Sequence, residues 1–85
     1  MEIVTTSLFR RKFKKLSLEV KQRAFEREKI FCANPFDKRL ETHKLHGKYR
    51  RFFAFSITNS YRIMFDFLGR KKAVFIDIDT HNIYR

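Results

Sequence analysis

Cysteine occurs once in this chain, proline once, glycine twice and tryptophan not at all. A lone cysteine, Cys32, cannot close an internal disulfide, so a reducing, cytoplasmic location is expected. No apolar run is long enough to span a bilayer, so no membrane-spanning helix is expected within these residues. The opening MEIVTTSLFRRKFKK has no apolar stretch after a basic one, so it does not read as a secretory signal, and no membrane association is expected. Acidic residues are also scarce, nine against 20 lysines and arginines, for a net charge of +11. That imbalance speaks of partners rather than fold. Nucleic acid, an anionic surface and an acidic protein all fit, and interleaved basic and aromatic residues favour nucleic acid.

Phenylalanine is what the chain has in abundance, 11 among 85 residues. The length implies one domain, residues 1–85, burying around 60% of the surface its unfolded form exposes. Phenylalanine supplies large buried area with no polar atom to satisfy, so a compact core needs no staple. Cys32 is expected to behave as a small buried hydrophobe near a helix end.

MEIVTT reads as a short strand centred on Ile3 and Val4, with Thr6 or Ser7 as a helix cap. Phe9, Phe13 and Leu16 recur at helical spacing amid Arg10, Arg11, Lys12, Lys14 and Lys15. Ser17 caps a second helix over 18–33, with Val20, Ala24 and Phe31 on one face. Asn34-Pro35 ends it, because proline disfavours helical geometry in its predecessor. Residues 36–49 read as a polar, basic loop with at most one helical turn. RRFFAFSI, YRIMFDF and AVFIDIDT then follow as three strands. The expected fold is α+β, in the order β-α-α-β-β-β, an antiparallel sheet with two N-terminal helices on one face.

Alternation within the strands predicts what each face carries. A tight TNS turn sets Ile57 against Tyr61, Phe55 against Ile63, and Ser56 against Arg62. Val74, Ile76 and Ile78 form the apolar set of the last strand, and Ile78 aligned with Ile63 places Asp79 opposite Arg62. The face away from the helices then holds Arg50, Ser56, Arg62, Asp79 and His81, with Phe52 and Phe75 as candidate base-stacking groups.

THKLHGKYRRFFAFSI, YRIMFDF and FIDIDTHNIYR, in this order, resemble the RelE/ParE superfamily of type II toxins, closest to its mRNA interferase branch, the RelE, YafQ and YoeB-like toxins. The resemblance covers essentially the whole chain. It implies an endoribonuclease that cuts mRNA on the ribosome without a cofactor and is neutralised by an antitoxin protein. By position, His81 falls on the terminal histidine of YafQ-like toxins and Arg62 on the phosphate-binding arginine of RelE-like ones. His43 matches the histidine of the H-K-L segment. Tyr84 approximates the C-terminal aromatic, one residue nearer the histidine than in the common form. Ser56 stands where YafQ-like toxins carry another histidine.

Chemistry supports those assignments. Imidazole, with a pKa of about 6.5, suits proton transfer near neutrality, so His81 is the expected general acid or base. The Arg62 fork suits a phosphate gaining charge, and Asp79 can orient Arg62 or His81. Lys44, Lys48, Arg50, Arg51, Arg10 and Arg11 are expected RNA phosphate contacts, with affinity falling as salt rises. His43 and His46 form half of a zinc pattern, but no second ligand pair completes it and no metal is expected. Two rivals keep the same fold: a ParE-like DNA gyrase inhibitor without nuclease chemistry, and a non-catalytic RNA-binding protein.

Overall fold

The computed structural model describes residues 1–80. The predicted His81 and Tyr84 lie outside the described residues. Strand β1 (Glu2–Thr5) leads into helices α1 (Ser7–Lys14) and α2 (Leu18–Ala33). A 3-10 turn, Lys38–Leu40, precedes a two-residue strand β2 (His43–Lys44), and a second such turn spans Gly47–Tyr49. Strands β3 (Phe53–Ser56), β4 (Tyr61–Phe67) and β5 (Lys72–Thr80) complete an α+β fold. The sheet order is β1-β5-β4-β3-β2. Three neighbouring pairs are antiparallel as expected, but β1 runs parallel to β5, so the sheet is mixed.

Both helix starts follow their capping residues. The Thr6 hydroxyl accepts from the Phe9 amide and the Ser17 hydroxyl from the Val20 amide. Each satisfies a donor that the helix itself leaves orphaned. α2 buries Ala24 and Phe31 against the sheet. Phe31 stacks on Phe55 at 5.0 Å and meets Phe65 and Phe75 edge-on at 4.8 and 5.3 Å. Phe25, one residue off that face, is 56% exposed. Cys32 is half-buried rather than buried.

The last strand departs from simple alternation. Met64 pairs with Asp77 but Phe65 pairs with Phe75, so Ile76 is an extra residue, a β-bulge. Ile78 keeps its place beside Ile63, while beyond the bulge the faces exchange. Phe75, expected on the open face, is instead 2% exposed in the core beneath the helices. Ile76 packs on the other face, with Leu45, Ala54, Met64, Tyr49 and Phe52. Val74 pairs with Asp66 on that face as well. The Thr6 hydroxyl, while capping α1, donates to the Ile76 carbonyl at 2.6 Å and so ties the bulge to the helix start.

Candidate functional site

The helix-free face is organised in rows. Ser56, Arg62 and Asp79 lie side by side across β3, β4 and β5, as the strand pairing predicts. The next row is His43, Ala54, Met64 and Asp77 across β2 to β5. β2 therefore does what a loop would not: it fixes His43 two strands from Arg62 and on the same face. The Arg62 guanidinium donates from Nη1 to His43 Nε2 at 3.1 Å. His43 Nδ1 lies 2.9 Å from the Glu41 carbonyl oxygen and donates to it. These partners select the neutral imidazole with its proton on Nδ1, leaving the Nε2 lone pair turned toward Arg62. Glu41 reaches this position in the left-handed region, with φ at 53°, a conformation side chains seldom adopt. Such backbone is a recurrent feature of functional sites.

Asp79 is engaged differently from the expectation that it orients Arg62. Its carboxylate is held by the Lys12 ammonium, which also meets Asp77 at 2.8 Å. Lys12 reaches both because β1 stops at Thr5, where its pairing with Phe75 ends, and α1 continues along the edge of β5. Burial alone would lower the Lys12 pKa, but the hydrogen bonds and charges of Asp77 and Asp79 outweigh it and raise it. Burial likewise pushes Asp79 upward, but the hydrogen bond from Lys12, together with one donated by the Thr80 amide, reverses that and holds it below the usual carboxylate value. Lys12 is the site neighbour that sequence reasoning missed.

The predicted phosphate contacts fall into two groups. Lys44, Arg50 and Arg51 line an open groove of about 480 Å³ with Leu45 and His46. Arg50 and Arg51 were expected in a strand, but the turn at Gly47–Tyr49 delays β3 to Phe53, so both sit in the connecting segment. Arg51 lies over the Phe52 ring at 5.3 Å and within 3.6 Å of Asp66, and Lys48 lies over Tyr49. Lys44 points to the opposite side of β2 from His43, over Phe53. Arg10 and Arg11 belong to α1, beside β5 and at the other end of the strand order. Arg10 is spent locally on Thr5, donating to its carbonyl and hydroxyl oxygens.

A second groove of about 300 Å³ lies beyond Ser56, where Arg23, Arg27 and Arg39 meet Glu19 and Glu41. Two of its cations are engaged locally: Arg27 donates to the Arg39 carbonyl, and Arg39 grips Asp37 through two nitrogens. Those hydrogen bonds hold the Asp37 carboxyl well below its ordinary range. No cluster of three or more potential metal ligands occurs among the described residues.

No family model and no curated protein matches this sequence. Solved structures do match in shape. The YoeB/ParE toxin from Agrobacterium tumefaciens superposes with a TM-score of 0.80 at 15% identity, covering 95% of this chain and 99% of that one. YafQ from E. coli gives 0.75 at 14% identity, covering 96% and 94%. A chain of the toxin-antitoxin complex RelBE2 from Mycobacterium tuberculosis gives 0.68 at 17% identity, covering 93% and 95%. The element order, the sheet topology and these superpositions over nearly the full length assign the chain the fold of the RelE/ParE-like toxins.

Proposed function

We propose that this protein is the toxin of a type II toxin–antitoxin system and an endoribonuclease that cleaves mRNA held on the ribosome. The observation that carries the reading is the Arg62–His43 pair, 3.1 Å apart on the helix-free face of a toxin-type fold. Cleavage of RNA by its own 2′-hydroxyl needs a base for that proton, a cation for the phosphate and an acid for the departing oxygen. Arg62 binds the scissile phosphate and stabilises the charge it gains. Drawing the Arg62 donor onto phosphate frees the His43 Nε2 lone pair for a proton. His43 and His81 then serve as the two acid–base groups, with His81 the principal one and Tyr84 auxiliary. The 2′-oxygen bonds to phosphorus, the 5′-oxygen leaves with a proton, and a 2′,3′-cyclic phosphate remains. With arginine supplying the positive charge at the phosphate, these steps call for no cofactor.

Lys44, Lys48, Arg50 and Arg51 extend the cationic surface along flanking RNA, and Arg10 and Arg11 face ribosomal RNA. The protein partner is an antitoxin whose acidic and apolar residues cover the basic face, and the setting is the cytoplasm. Induction in cells tests the reading, comparing wild type with His81→Ala for growth and transcript integrity. Arrest with cut transcripts, lost in the variant, is the expected result. Arrest with intact transcripts in both proteins would overturn nuclease action in favour of a gyrase-type target.

A further inference from the structure

Lys12 differs from the other cations of α1 in forming ion pairs with the sheet. Its ammonium lies between Asp77 and Asp79, and its side chain is 29% exposed. Both carboxylates belong to the helix-free face, because Asp79 pairs with Arg62 and Asp77 with Met64. They therefore stand one strand from the Arg62–His43 pair. Without Lys12, the charged side chains of these rows are one arginine against two aspartates, a net −1. Lys12 brings that sum to zero. A phosphodiester approaching Arg62 carries its own negative charge, so two uncompensated carboxylates on the neighbouring strand would oppose it. They would also compete for the Arg62 guanidinium, which in the structure is directed to His43.

We propose that Lys12 is a positioning residue for RNA: by neutralising Asp77 and Asp79 it keeps Arg62 on His43 and available to phosphate. This rests on the RNA-cleaving reading of the same face. A purely structural role is the competing account, since the same contacts tie α1 to β5. Charge and tie are separable. Lys12→Met/Asp77→Asn restores the charge sum to zero, with Asp79 and Arg62 remaining, yet leaves the tie broken. Asparagine at 77 can still accept from the Ile78 amide, as Asp77 does.

The test is binding of a single-stranded 2′-O-methyl oligoribonucleotide, which cannot be cleaved, by fluorescence anisotropy below the melting temperature of every variant. Lys12→Met is expected to weaken binding about tenfold. Lys12→Arg should bind like wild type, and Lys12→Met/Asp77→Asn should recover most of the loss. Wild-type affinity in Lys12→Met overturns the proposal. So does a double variant as weak as Lys12→Met, which would make Lys12 a direct RNA contact or only a tie. Cleavage of an unmodified transcript on stalled ribosomes is followed alongside. A wild type that neither binds nor cuts RNA removes the functional reading itself, and the proposal with it. A wild type that cuts RNA, with Lys12→Met equally active and tight, removes this proposal alone.

Discussion

Arg62 and Asp79 stand side by side on neighbouring strands, yet each turns to another partner: Arg62 to His43, Asp79 to Lys12. The second pairing has a pH signature. The folded-state pKa of Asp79 is depressed, so its contribution is present above the unfolded value of about 3.9 and disappears as pH falls through the folded value. That of Lys12 is raised, so its contribution is present below about 10.4 and disappears as pH rises through the folded value. Lys12→Met should therefore lower stability most on the plateau between about pH 5 and 9. For a partly screened pair the loss is about 1 kcal/mol, a melting shift of about 4–8 °C. Thermal melts at pH 3, 7 and 9 check it: a shift as large at pH 3 as at pH 7 would contradict the ionic origin. The row Ser56–Arg62–Asp79 was legible from alternation and one tight turn, because a two-residue period needs only the turn to set its phase. The partners of Arg62 and Asp79 were not. His43 reaches Arg62 through a strand of two residues, too short to show a period, and Lys12 reaches Asp79 only because α1 takes over the edge that β1 leaves.

β5 shows how one residue changes what an element presents. The extra Ile76 keeps Asp77 and Asp79 on the open face while turning Phe75 and Ala73 into the core. A period-two reading has no means of detecting a bulge, since Val74, Ile76 and Ile78 form an equally good apolar alternation. Packing decides against it: Phe75 fills a site against Phe9, Phe31 and Phe55 with ring centroids 5.3–5.6 Å apart, and the smaller Val74 could not. Phe75→Ala should accordingly cost about 3–5 kcal/mol by leaving a cavity. Phe52→Ala, in the partly exposed cluster with Leu45 and Met64, should cost less than half as much. Denaturant unfolding compares them directly, and equal losses would contradict the bulged register. The two helices were legible because Thr6 and Ser17 cap where expected, and Asn34-Pro35 stops α2 where its periodicity ends.

The net charge of +11 is distributed so that its parts serve different surfaces. Lys12 is neutralised by Asp77 and Asp79 and Arg39 by Asp37, whereas Arg10, anchored on the neutral oxygens of Thr5, keeps its charge. Lys44, Arg50 and Arg51 line an open groove at the β2 end of the sheet, and Arg62 lies two strands away on β4. An RNA strand contacting Arg50, Arg51 and Arg62 should show log affinity falling against log salt with a slope of about −2, at roughly −0.7 per phosphate. Titrating the 2′-O-methyl oligoribonucleotide from low to moderate salt measures it, and a slope near zero would contradict backbone recognition by this face. Arg50→Ala should flatten the slope by somewhat under one, whereas Arg39→Ala, whose charge is already held by Asp37, should leave it unchanged.

The most direct test of the account is cleavage itself. Purified protein is incubated with ribosomes stalled on a defined transcript, and the RNA ends are mapped and their chemistry identified. Expected are cuts that leave a 2′,3′-cyclic phosphate, that vanish when a 2′-O-methyl group blocks the attacking hydroxyl, and that are lost in Arg62→Ala. Intact transcripts with folded wild-type protein, or cuts that persist through the methyl block and the Arg62 substitution, would contradict it.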